Sequence, residues 1–367
     1  MKRRLAPFGL LDRYVLQLFG ASFGVAILLV VGIFLILDLS TNLDSFMQPD
    51  ENGQVPSGLL VARYYLLQVP FVYLQVAPLV TLLAGLFSVS KLMRHREVVA
   101  ALGAGVSSRR VMAPVLFGGA VLGVAMIGLR ELATETLGDA RDATFDRLKN
   151  GRIERVVEDF RFKDRHGNPV LIEEFRAGDS GEAPSIRGLL MVERHPDRFV
   201  KLKADEARWN PVRKAWLLEG GRIEDVDDSE RREDEIRELA TFGPSDVLRL
   251  HKAQVNPFDV SGREARYLAQ RDPSNVQYRT LSHYHLSFPL ANLVLLLCGI
   301  PFLVRFRRGW GPEGVALGFL VGVFYFAADM LTRGLGMEGQ LGPLLAAWVP
   351  ILVFGSLGTV LYTHMRS

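Results

Sequence analysis

Val111–Asn150, VMAPVLFGGAVLGVAMIGLRELATETLGDARDATFDRLKN, changes character once, at Arg130. Before that arginine the run is uncharged and long enough to cross a bilayer core of about 30 Å as a helix. Gly118, Gly119 and Gly123 give it a small-residue face, which lets membrane helices approach closely. After Arg130 charges return while the spacing stays helix-like to Asn150, so the helix is expected to leave the membrane and continue.

Five further apolar runs of spanning length flank this one. Val15–Leu37 and Tyr64–Ser90 precede it, and His285–Val304, Val315–Leu331 and Leu344–Tyr362 follow. Lys2, Arg3 and Arg4 before the first run resemble the start of a cleavable signal. Its apolar length and the lack of a small-x-small site predict a retained helix instead. Between the third and fourth runs lies a polar stretch, Arg130–Thr280. This segregation reconciles 49% hydrophobic residues with 23% charged ones over 367 residues, and it excludes a disordered chain or a small soluble domain. A net charge of +3 gives no reason to expect nucleic acid, and the lone Cys298 excludes an internal disulfide framework.

Basic residues near the span ends set the expected orientation. Lys2, Arg3, Arg4 and Arg13, the loop from Lys91 to Arg110, the group Arg305, Arg307 and Arg308, and Arg366 fall on one side. The short loops of the other side offer only Arg63 and Arg333. Both termini are therefore expected in the cytoplasm and the long insert outside it.

Within the insert, short β-prone runs alternate with turn residues: 156–163, 170–175, 188–193, 199–209 and 215–219, with a further strand pair expected at 222–226 and 238–242. Asp164–Pro169 and Asn210-Pro211 mark turns, and the charged run 227–235 reads as a solvated loop. Ser261 and Glu264 have the spacing of a capping box at the start of a helix running to Gln270. The expected fold is an α-helical membrane protein, six transmembrane helices as three plus three, with an inserted all-β domain outside the cytoplasm, an antiparallel sandwich or jelly-roll-like. The corresponding divisions are 1–130, 131–280 and 281–367.

No P-loop, H-E-x-x-H or G-x-S-x-G motif occurs, so no catalytic residues are assigned. His283 and His285 at the membrane edge read as metal ligands or as interfacial packing; no third ligand is near in sequence, and no metal site is assigned. The loop KLMRHREVVAALGAGVSSRR, Lys91–Arg110, carries an apolar stripe at Val98, Val99, Ala101 and Leu102, with Glu97 its only acid. It reads as a docking helix for a partner or as an ordinary basic cytoplasmic loop. Arg63, Arg130 and Arg333 sit at the outer interface, either to hold lipid phosphates or to snorkel towards water. Asp329, one turn inside the fifth run, is expected to face protein and to pair with Arg333.

Five segments in order make the chain resemble the lipopolysaccharide-export permeases of the YjgP/YjgQ or LptF/LptG family. They are Leu11-Asp12-Arg13-Tyr14, Arg96–Ser107, Ala204–Gly221 with Trp209 and Trp216, Phe288–Phe302, and Gly342–Pro350. The resemblance implies an inner-membrane permease that pairs with a second, related permease. A cytoplasmic ABC ATPase dimer would bind the ATP, leaving no cofactor on this chain. It places Arg96, Glu97, Val98, Ala101, Leu102, Gly103 and Gly105 on a coupling helix, about 91–108, that docks into that ATPase. It implies that lipopolysaccharide leaves the membrane towards periplasmic jelly-roll bridge proteins and the outer membrane. The outer end of the first run, Leu37-Asp38-Leu39-Ser40-Thr41, is acidic where the family often carries basic residues. Phosphates would then fall to Arg63, Arg130 and Arg333 or to the partner subunit, or the cargo differs. Two rivals remain at this stage: a mechanotransmitting ABC-type permease or scaffold that moves no lipid, and a membrane enzyme using His283 and His285.

Overall fold

The computed structural model describes residues 9–46, 56–150, 156–178, 182–194, 199–225, 232–235, 237–255, 259–305 and 312–365. Its N-terminal part consists of α1 (Leu10–Phe46), α2 (Gly58–Arg94), the short α3 (Glu97–Gly103) and α4 (Ser108–Asn150). Among the described residues six helical segments are long and apolar enough to span a membrane, three before the external domain and three after it. The spans outrun the apolar windows read from sequence because polar residues at their ends continue the helix into water. The 43 residues of α4 extend about 65 Å, roughly twice the bilayer core. The division expected at residue 130 thus falls inside a continuous helix.

The small residues of α4 bring it close to its neighbours. A Cβ on Gly118 would lie 2.7 Å from the Phe19 ring of α1, and one on Gly123 would lie 2.7 Å from the Pro289 carbonyl oxygen. A Cβ on Gly119 would collide with Leu296. Van der Waals contact is a main source of helix association in lipid, so this face joins the two halves. The fourth span consists of α7 (Val276–Ser287), a 3₁₀ turn (Phe288–Leu290) and α8 (Ala291–Arg305). Pro289 cannot donate a backbone hydrogen bond, which breaks the helix there, and the buried Asn292 side chain ties the break to α2. Its Nδ2 donates to the Pro289 carbonyl at 2.9 Å, while its Oδ1 accepts from Thr81 Oγ1 of α2 at 2.7 Å. Helices α9 (Pro312–Met337) and α10 (Pro343–Thr363) complete the bundle.

The external domain is an antiparallel sheet of β1 (Val156–Lys163), β2 (Pro169–Arg176), β3 (Ser185–Arg194), β4 (Phe199–Asn210), β5 (Ala215–Glu219), β6 (Arg222–Asp225), β7 (Arg232–Glu235) and β8 (Glu238–Leu239). Strands β1 to β5 pair in sequence order, and β4 also pairs with β6 beyond its junction with β5. The inner face is covered by α5 (Pro244–Val255), α6 (Gly262–Arg271) and the start of α7, which place Val247, Leu250, Ala265, Leu268, Tyr278 and Leu281 in the same core as Trp216 and Phe175. Farther along α7, Tyr284 joins a membrane cluster, so one helix belongs to both cores.

A skipped row crosses the sheet. Phe160, Ile172, Leu189 and Ala204 are cross-strand partners, as are Val157, Phe175, Ile186 and Ala207, and all eight are buried. Within each strand, however, the two inward residues are three positions apart rather than two. The extra residues lie in one row, Asp159, Glu173, Gly188 and Asp205. Asp159 (φ 47°) and Gly188 (φ 64°) take left-handed backbone, and a Cβ at Gly188 would collide with the Glu173 carboxylate. The pairing register is the same on both sides of this row, so the four strands skip one residue together.

Three readings of the insert need correction. The run 227–235 is not wholly a loop: Arg232–Glu235 forms β7 against β6, while 226–231 lie outside the described residues. Strands β6 and β8 do not pair with each other but with β4 and β5, respectively. The last strand ends at Leu239, because the chain then turns inward and the Phe242 carbonyl accepts from the buried Trp216 Nε1 at 2.9 Å. Helix α5 had no counterpart in the sequence reading. Helix α6 did, and Ser261 Oγ accepts from the Glu264 backbone N–H at 3.1 Å as the capping spacing predicted.

Candidate functional site: the α3 surface and the outer polar clusters

The expected coupling segment resolves into three pieces. Lys91–Arg94 finish α2, α3 occupies 97–103, and Ser108 onward belongs to α4. Two left-handed residues, Arg96 (φ 59°) and Gly105 (φ 82°), turn the chain before and after α3. Arg96 takes this conformation despite a steric cost of about 1 kcal/mol for a residue with a side chain. The seven residues divide into two faces. Val98 is 1% exposed and, with Ala101, packs on the membrane core. Val99 is 58% exposed and Leu102 37%, and a Cβ on Gly103 or Gly105 would meet open space. This face is apolar, small and uncovered in the monomer.

Glu97, the first residue of α3, accepts a hydrogen bond from Tyr14 Oη of α1 at 3.0 Å. Next to it, both carboxylate oxygens of Asp12 accept from the Arg110 guanidinium at 2.7 Å, and the Gly9 backbone N–H donates to Asp12 as well. Tyr362 of α10 donates to the Arg109 carbonyl at 2.8 Å. The inner ends of α1, α3, α4 and α10 are thereby joined by polar contacts. Sequence reading marked Asp12 and Tyr14 only as part of a resembling segment. Their partners lie 98 and 83 residues away.

The three outer arginines do not form one cluster. Arg63 is exposed on the first turns of α2. Arg130 is 6% exposed, and its Nη1 lies 3.1 Å from His285 Nδ1. Arg333 donates to Tyr284 Oη at 2.8 Å and lies 3.6 Å from the Asp329 carboxylate, the pairing expected from sequence. Neighbouring residues of α7, Tyr284 and His285, thus hold Arg333 and Arg130. No group of three or more potential metal ligands occurs among the described residues.

A fourth outer arginine, Arg141, escaped sequence reading. Its guanidinium reaches Asp142 and Asp259 at 2.7 Å each and lies 4.1 Å above the Phe71 ring, while Lys252 of α5 adds a 3.2 Å contact to Asp142. One side chain therefore joins α4, α2 and the segment before α6. Outside the spans, burial beside Phe160 pulls the His251 imidazole below its ordinary value, and burial pushes the Glu264 carboxyl up.

A search of curated proteins finds no match to this chain. The sequence model of one family, the lipopolysaccharide export system permease LptF/LptG, matches residues 13–364. That span takes in all six membrane helices and the whole inserted sheet, and the family is one of transporter permeases rather than enzymes. The chain therefore belongs to the lipopolysaccharide export permease family LptF/LptG.

Proposed function

We propose that this permease is one half of an ATP-driven extractor, taking lipopolysaccharide from the inner membrane and passing it to a periplasmic jelly-roll bridge. The observation that carries this reading is the family match over residues 13–364, on a chain with three spans, a β domain and three spans. A mechanotransmitting permease or scaffold is the weaker reading, because such subunits usually place one span before the external domain. A second, related permease completes the membrane part, and an ABC ATPase dimer binds and hydrolyses the ATP. The basic loops support a topology with both termini in the cytoplasm and the β domain in the periplasm.

In this reading α3 is the coupling helix. Val99, Leu102, Gly103 and Gly105 supply a surface that a partner can approach closely, while Val98 and Ala101 anchor it from behind. Arg96 and Glu97 add the charges at its rim. Among the phosphate candidates, Arg63 has an exposed side chain suited to a lipid headgroup. Arg130 and Arg333 would reach a phosphate by exchanging His285, or Asp329 and Tyr284, for it.

Affinity purification of the chain from membranes tests the reading. An ATPase subunit, a related permease and lipopolysaccharide are expected to come with it, and Glu97→Ala is expected to reduce the ATPase recovered. Recovery of the chain with none of the three would overturn the proposal.

A further inference from the structure

We infer that Asp12 and Tyr14 are positioning residues that make the inner end of α1 follow α3. The inference rests on the reading of α3 as the ATPase-docking helix, and it goes beyond that reading by naming how the movement leaves α3.

The geometry has three parts. Tyr14 Oη binds the carboxylate of Glu97, the first residue of α3. Two residues earlier on α1, Asp12 receives both guanidinium nitrogens of Arg110, three residues into α4. Asp12 is 2% exposed, although Arg110 is half open, so the carboxylate is enclosed and its partner is reached from outside. A bidentate pair fixes direction as well as distance, since both oxygens must face the guanidinium plane.

The remaining surroundings explain why these contacts matter for α1. Only 11% of the most apolar window of α1 is buried, against 78% for α2, so most of the α1 surface faces away from the rest of the chain. At its inner end Val15, Leu18 and Phe19 are buried in the core that also contains Val98 of α3. Left-handed turns at Arg96 and Gly105 bound α3 as a separate short piece. A push on that piece reaches α1 through Tyr14 and through the Val98 contact, while Asp12 keeps α1 pinned to α4. Farther along, α1 meets the bundle again at Ala26, Val31 and Phe46, so a shift of its inner end is carried along a helix that otherwise shows one long face outward. Movement of α3 becomes movement of a lipid-facing helix.

The test uses the purified transporter complex in proteoliposomes containing lipopolysaccharide, scored as lipid extracted per ATP hydrolysed. Asp12→Asn and Tyr14→Phe are each expected to lower that ratio, Asp12→Asn by about tenfold, with the ATPase still bound and still hydrolysing ATP. The reversed pair, Asp12→Arg with Arg110→Asp, is expected to recover transport lost in either single change, which a general packing role would not allow. A ratio within about twofold of the parent for both Asp12→Asn and Tyr14→Phe overturns the inference. So does a reversed pair that performs no better than its single members. If Asp12→Asn fails to accumulate, Tyr14→Phe, which keeps the ring, decides alone. Failure of the parent chain to retain any ATPase would instead overturn the docking reading.

Discussion

The two ends of α4 are tied down by arginines in opposite ways. At the outer end Arg141 is enclosed, its side chain 8% exposed, with two carboxylates and an aromatic face around it. At the inner end the acid, Asp12, is enclosed and Arg110 is 53% exposed. An enclosed guanidinium among carboxylates cannot let go without stranding charge in a low-dielectric setting, whereas a half-open one can exchange its partner for water. The outer attachment is therefore built to hold the β domain in a fixed pose on the membrane helices. The inner attachment is a pair that water reaches from one side.

The largest expected effect comes from breaking the outer end. Arg141→Ala leaves Asp259 and Asp142 near Lys252 alone, and loss of one partner from a buried network costs about 3–5 kcal/mol. Thermal unfolding of the detergent-solubilised protein should show a clearly lower midpoint, and an unchanged one would remove the distinction between the ends. A smaller effect follows from Ser261→Ala, two residues beyond Asp259, where loss of the cap on α6 costs about 1 kcal/mol. The same unfolding measurement, with limited proteolysis between α5 and α6, reads this change. Arg110→Ala should be mildest in stability, at about 1 kcal/mol or less, because removing a half-exposed side chain opens Asp12 to water and leaves it the Gly9 backbone N–H. A drop as large as that of Arg141→Ala would show that both ends are rigid.

Much of the architecture was legible in sequence because its signals are local. A run of apolar residues as long as Val15–Leu37 names a span by itself. The change at Arg130 within an unbroken helical pattern foretold the long α4. The α6 cap was readable from two residues three apart. Polar pairings between distant segments were not. Asp12 meets Arg110 and Arg141 meets Asp259 across 98 and 118 residues, and nothing local distinguishes them from other charges at span ends. Strand β7 was hidden for another reason: REDE has the composition of a loop, and only pairing with β6 makes it a strand. Helix α5 shows its apolar face only once Val247, Leu250 and Ala253 meet the sheet. For the site, the α3 segment was visible as a stripe, while its division into a buried and an uncovered face needed the fold.

The skipped row across β1 to β4 constrains how this external domain can change over time. Deleting Gly188 alone would make Ile186 and Leu189 ordinary alternates in β3, but it would slip half of that strand by one residue against its neighbours and set Leu189 opposite Glu173 instead of Ile172. The same holds for Asp159, Glu173 and Asp205 in their strands. Four separate stretches of chain are thus bound to a shared length, and a descendant could lose this row only by shortening all of them together.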